Sequence, residues 1–153
     1  MRRTDREVTE LNDIADILNR SKTLRLGLQG DQYPYIVPLS FGFTAKNGQI
    51  TIYAHGAKDG LKHTLLAKNN HVCIETDIFH TYMQTERGIT VLYESVIGVG
   101  KGQIITGNEA EIGMEKILRH CGFEDFAYDK KLLERITILR VDIVEITGKR
   151  HIL

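Results

Sequence analysis

The chain has 153 residues, enough for one domain, spanning residues 1–153, that buries about two-thirds of its unfolded surface. Its 20 Lys plus Arg balance 20 Asp plus Glu, so no net field draws it to nucleic acid or to an acidic membrane surface. The expected partner is therefore a small molecule or a protein, with no nucleic acid and no membrane. The two cysteines, Cys73 and Cys121, lie far apart without a C-x-x-C pair, the usage of a reduced cytosolic protein, and both are expected as buried small hydrophobes. Met1 to Glu7 is charged and leads into an amphipathic helix instead of an apolar segment, so no signal peptide is expected. No apolar run approaches a membrane span, and the expected location is cytoplasmic.

In chain order, Thr9 is placed to cap a helix in which Leu11, Ile14, Ile17 and Leu18 share one face to about residue 20. Leu24, Leu26 and Leu28 alternate as a strand, and Gly30-Asp31 turns the chain. Tyr33 to Phe43 is one extended run interrupted by Pro34 and Pro38, so it belongs at an edge, at a bulge or beside a ligand. Lys46-Asn47-Gly48-Gln49 reads as a hairpin turn into the strand Gln49–Tyr53. Leu61 to about Asn69 is a short helix, and Val72, Ile74 and Thr76 mark the next strand. Residues 78–89 lack a clear period and read as a loop or a distorted strand. Tyr93 to Ile105 is a strand curved or bulged at Gly98, Gly100 and Gly102. Glu109 to about Cys121 is a surface helix, Lys130–Glu134 a third helical segment, and Ile136 to Ile146 the closing strand, ending at Thr147-Gly148-Lys149-Arg150.

About six strands, mostly joined without long crossovers, predict a mainly β fold with peripheral helices, a small antiparallel Greek-key barrel.

Tyr53-Ala54-His55-Gly56-Ala57-Lys58-Asp59-Gly60-Leu61-Lys62 is the stretch most suggestive of chemistry. A strand passes through a glycine-bearing loop into a helix start, which offers free backbone N–H groups and the positive end of a helix dipole. With Lys58, Lys62 and His63 close by, the junction suits a phosphate; it equally describes an ordinary strand-to-helix connection with solvated lysines. His63, His71, Cys73 and His80 match no standard zinc spacing, and no metal is expected. Tyr33, Tyr35, Phe41, Phe43 and Tyr53 can stack on a ligand or, for most of them, pack a core. Arg2, Arg3 and Arg6 can reach an anion across a dimer or lie solvated.

Four pieces carry a family likeness: Tyr35-Ile36-Val37-Pro38-Leu39-Ser40-Phe41, Tyr53-Ala54-His55-Gly56-Ala57-x-x-Gly60-x-Lys62, Tyr93-Glu94-Ser95-Val96 and Ile146-Thr147-Gly148-Lys149-Arg150. In this order, along nearly the whole chain, they resemble the FMN-binding split-barrel superfamily, related to pyridoxamine 5'-phosphate oxidase. Within it the sequence is most similar to the NimA-like 5-nitroimidazole antibiotic resistance group, which tends to begin with a Met-Arg-Arg-x-Asp-Arg pattern. The resemblance implies a six-stranded split barrel that forms a homodimer and binds FMN at the interface, in a site built from both subunits.

In that picture Val37, Pro38 and Leu39 lie beside the isoalloxazine ring, His55 and Ala57 against the ring and ribityl chain, and Lys62 pairs with the phosphate at the helix start. Tyr53 and Gly60 complete the cofactor motif. Ser95 contacts polar atoms of the cofactor from the later strand, of the same or of the second subunit, and Lys149 and Arg150 are further candidates for the phosphate or the partner chain. His55 is the candidate catalytic or substrate-orienting imidazole, because histidine transfers protons near neutrality. Leu61 stands where the vitamin-phosphate oxidases carry an arginine before the lysine, which turns the reading from that oxidase towards an FMN-dependent, nitroreductase-like enzyme. A flavin- or ligand-binding module without turnover, a pyridoxamine-phosphate oxidase, and haem or a deazaflavin in place of FMN are the alternatives.

Overall fold

The apolar alternation from Leu24 onward builds one antiparallel sheet in the computed structural model, which describes residues 3–153. Its strands are β1 (Glu7–Val8), β2 (Leu24–Leu28), β3 (Tyr35–Leu39), β4 (Phe41–Lys46), β5 (Gln49–Ala57), β6 (His71–Thr85), β7 (Gly88–Ile105) and β8 (Ile136–His151). The helices are α1 (Leu11–Arg20), α2 (Leu61–Lys68) and α3 (Gly107–His120). Neighbours run β3-β2-β6-β7-β8-β5-β4, with β1 added against β8. β3 comes against β5, which brings the two ends of the sheet together as a split barrel.

All six expected strand stretches are present; of the two further strands, one is the short β1 added against β8, and the other has a local cause. The run from Tyr33 to Phe43 breaks at Ser40, so that β3 pairs with β2 while β4 pairs with β5. Pro38 sits opposite Arg25 on the edge strand β3, where a missing ladder donor costs nothing on the open side. The turn between β4 and β5 has Asn47 at φ 53° and Gly48 at φ 77°, the paired positive values that a tight hairpin requires.

Residues 78–89 form the second of the two expected alternatives, a distorted strand: they are the bulged ends of β6 and β7, joined by a short turn. β6 and β7 remain paired from His71 opposite Lys101 out to Thr85 opposite Gly88, whereas β8 begins to accompany β7 only at Tyr93. The result is a hairpin arm reaching past β8. The chain buries neither face of this arm, which leaves Phe79, Tyr82 and Ile89 exposed, and without a buried face there is no alternation to read. A bulge between Phe79 and Thr81 leaves His80 outside the ladder. The glycine-rich strand β7 is bulged as expected, between Val99 and Gly100, where a Cβ on Gly100 would strike the backbone of Asp142.

Two apolar cores hold these elements. In the first, Ile14, Ile17 and Leu18 of α1 meet Leu24, Leu26, Phe41, Ile52, Ile74, Val96 and Val141. Each such fully buried side chain contributes roughly 1.5–3 kcal/mol. That burial holds α1 in place of the expected Thr9 cap, since Glu10 is the N-cap and no side chain caps the helix. In the second core, α3 lays Ala110, Met114 and Ile117 over Tyr53, Ile105 and Ile138. His120, at the end of α3, stacks on Phe41 with ring centroids 4.3 Å apart and bonds through Nε2 to the Ser21 carbonyl at 2.9 Å. The cysteines are exposed, not buried. Cys73 has the outward parity of β6, whose buried positions are Val72, Ile74 and Thr76, and Cys121 lies past the last turn of α3. No helix of the described residues is long and apolar enough to cross a membrane.

Candidate flavin-phosphate site and outer sheet face

The junction between β5 and α2 is built as the sequence suggests, with a different division of labour among its cations. Gly60, at φ 151°, is the N-cap of α2, and no side chain caps the helix, so its first N–H groups keep no side-chain acceptor. The Lys62 side chain turns back over Gly56 so closely that a Cβ at that position would collide with its ammonium group. Lys58 instead donates to the Glu134 carbonyl at 3.0 Å. The His63 ring nitrogen Nε2 lies 2.7 Å from the Ala57 carbonyl and 3.0 Å from the Thr137 hydroxyl. Of the three expected phosphate ligands, Lys58 and His63 therefore hold the loop, and Lys62 provides the charge beside the open helix start. A cationic group, unclaimed N–H donors and a glycine that leaves room for them match the chemistry of a phosphate monoester.

The remaining expected residues fall into three places. Along β5 the parity separates Ile52, Ala54 and Gly56 from Tyr53, His55 and Ala57. The Tyr53 side chain is buried under α3, its ring 3.0 Å from where a Gly113 Cβ would stand, so it does not reach the loop. His55 and Ala57 are exposed at the end of the same strand. On β3, Val37 and Leu39 turn inward against the first core, and Pro38 is exposed beside Ile36. Ser95 and Lys149 face each other across β7 and β8 on the outward side of the sheet. There the Lys149 ammonium lies 5.5 Å from the Tyr93 ring centroid. Burial acts to raise the Tyr93 phenol, but Lys149 and Arg6 beside it outweigh that and hold it below its ordinary value.

Thr137, next to the phosphate loop, and Lys149 stand on the same strand with about 40 Å of strand path between them at roughly 3.3 Å per residue. Within one chain, Lys62 and the Ser95–Lys149 pair are therefore two separate patches. Between them the outward face carries a groove of about 730 Å³ lined by Gly27, Ile36, Cys73, Val99 and Val144.

Arg150 does not serve an outside anion. It turns inward and donates from Nε to Glu94 at 2.7 Å. Glu94 is a carboxylate 3% exposed, gripped also by Arg20 through both oxygens at 2.6 and 2.9 Å and by His80 at 3.0 Å. Arg20 foremost, then Arg150 and His80, hold this carboxyl down at about 2 against the opposing effect of burial. The sequence carries one sign of this cluster that the motif reading passed over: Glu94 has the inward parity of β7, shared with Leu92 and Val96. Arg3 pairs with Asp5, and Arg6 reaches His151 at 3.3 Å, while Arg2 lies outside the described residues. His63, His71, Cys73 and His80 do not converge, and the described residues contain no cluster of three or more metal-ligating side chains.

Residues 10–150 match the protein family described as pyridoxamine 5'-phosphate oxidase. The chain belongs to that family. No curated protein matches the chain. Among solved structures, this family member is similar to a candidate 5-nitroimidazole antibiotic resistance protein from Bacteroides thetaiotaomicron, at 25% identity and a TM-score of 0.83, over 94% of this chain and 85% of that one. It shares its fold with the flavocytochrome Anf3 from Azotobacter vinelandii, at 15% identity and a TM-score of 0.81, over 100% of this chain and 72% of the other. The same holds for a FAD-binding protein from Mesorhizobium loti, at 17% identity and a TM-score of 0.70, over 96% and 98% of the two chains. The pyridoxamine 5'-phosphate oxidase-like split barrel expected from the four motifs is thus the fold this chain adopts.

Proposed function

We propose that this family member binds FMN and works as a flavin-dependent oxidoreductase that reduces a small acceptor of the nitroaromatic class. The observation that carries the reading is Lys62 folded over Gly56 at the uncapped start of α2, a cation and free N–H groups facing the same space. The likeness to the Bacteroides protein supports the choice of acceptor. Bound flavin supplies the redox chemistry, taking reducing equivalents from a donor and passing them on. The chain binds the phosphate through Lys62, orients the ring along β3 with the Val37–Leu39 backbone, and offers His55 at the end of β5 as a proton-transferring group.

We further propose that the working unit is a homodimer. Ser95 and Lys149 reach the cofactor held by Lys62 from a second copy, because most of the length of β8 separates the two patches within one chain. The outward groove, with Ile36, Ile97 and Val99 exposed around it, provides the apolar area that such an interface buries.

The test is an absorption spectrum of the purified protein, followed by denaturation and identification of the released chromophore. Two flavin bands with FMN in the supernatant are expected. Release of FAD or haem, or a colourless protein that takes up no added FMN, would overturn the cofactor assignment. For activity, the reduced holoprotein is expected to be reoxidised faster by a nitroimidazole than by buffer, and an unchanged rate would remove the nitroreductase reading.

A further inference from the structure

We infer that His63 is a positioning residue for the flavin phosphate, acting with Thr137 through the Ala57 carbonyl; this rests on the FMN reading above. The Ala57 oxygen can only accept, so the His63 nitrogen 2.7 Å away, Nε2, is the donor of this bond. Thr137 stands opposite Gly56 on β8, and its hydroxyl lies 3.2 Å from the Ala57 oxygen, 3.5 Å from the Gly56 oxygen and 3.0 Å from His63 Nε2. One carbonyl is thus held from α2 and from β8 together.

Its position explains why this matters for a phosphate. His63 directly follows Lys62, and its backbone N–H bonds to the Gly60 carbonyl at 3.0 Å, so the ring pins the first turn of α2 to the end of β5. The Lys62 side chain rests on Gly56, the residue next to the pinned carbonyl. Release of the His63–Ala57–Thr137 clamp would let the helix start and β5 move apart, separating the N–H groups of α2 from the Lys62 ammonium. His63 therefore sets the geometry of the phosphate site without supplying a ligand to it. Lys58, bonded to the Glu134 carbonyl, holds the same loop from the other side.

The test titrates the full chain with FMN and with riboflavin, which differs by the phosphate alone, and follows fluorescence quenching. Loss of one hydrogen bond predicts that His63→Ala weakens FMN roughly 3- to 10-fold. Riboflavin affinity stays at the wild-type value, and His63→Gln, which keeps a side-chain N–H donor, recovers most of the loss. His63→Ala combined with Thr137→Val is expected to lose less than the product of the single effects, since both act through one carbonyl. Should His63→Ala not fold, Thr137→Val, which keeps shape and loses only the hydroxyl, gives the same comparison. FMN affinity unchanged in both single variants, or equal losses for FMN and riboflavin, would overturn the inference while leaving the cofactor assignment intact. A wild-type chain that binds FMN no better than riboflavin would overturn the phosphate site itself, and the inference with it.

Discussion

Lys62 and Gly56 form the smallest unit of the candidate site, since the lysine reaches its place only because its neighbour across the turn has no side chain. Lys62→Ala is expected to weaken FMN binding by about 1.5–3 kcal/mol, the range for a charge-assisted hydrogen bond, as read by fluorescence titration. Gly56→Ala is expected to act in the same direction by a different route. Its Cβ displaces a flexible ammonium and no backbone, so the thermal transition stays near the wild-type value while FMN affinity falls. A Gly56→Ala protein with wild-type FMN affinity would show that Lys62 does not work from this position.

At the scale of elements, Glu94 joins what the apolar cores do not. It ties α1 through Arg20, the end of β8 through Arg150, and the base of the hairpin arm through His80 at the bulge. Its carboxyl is held at about 2, below the ordinary 4.5, so the ionised form is favoured by the fold. The stability this provides is complete above about pH 4.5 and is lost as pH falls towards 2. Glu94→Gln is expected to cost on the order of 2–3 kcal/mol at neutral pH, because two guanidinium groups lose their buried partner. In denaturant melts, the gap between Glu94→Gln and wild type should close as pH is lowered from 5 to about 2. A gap that does not change with pH would mean that the cluster contributes through packing alone.

At the scale of the whole molecule, β7 and β8 place two of the expected cofactor residues, Ser95 and Lys149, on a surface that the single chain leaves open. Ile97 is 51% exposed on β7 between Ser95 and Val99, so a charge there is tolerated by an isolated chain. Ile97→Lys is therefore expected to leave the secondary structure intact, to give a monomer by sedimentation, and to lose FMN together with the second copy. A dimer that keeps its flavin in this variant would place the interface elsewhere.

Much of this was legible from residues alone, and the reasons are local. Period-two alternation marked β2 and the start of β6, because one face of each is buried there, and Asn47-Gly48 marked its hairpin by the backbone angles it tolerates. The ordered motifs carried the family, and the strand-loop-helix spacing brought Gly56, Gly60 and Lys62 to one junction. Tertiary structure decided what spacing cannot express. The hairpin arm has no period because the chain buries neither of its faces, and Cys73 is exposed because parity, not hydrophobicity, sets its side of the sheet. Arg150 turns to Glu94 instead of an outside phosphate because α1, folded across the barrel end, brings Arg20, Asp13 and Asp16 to the same place. Lys58, Lys62 and His63 are equivalent as a string of nearby cations. They separate into two clamps and one free charge only when β8 supplies Thr137 and the segment before it supplies the Glu134 carbonyl, partners more than 70 residues away along the chain.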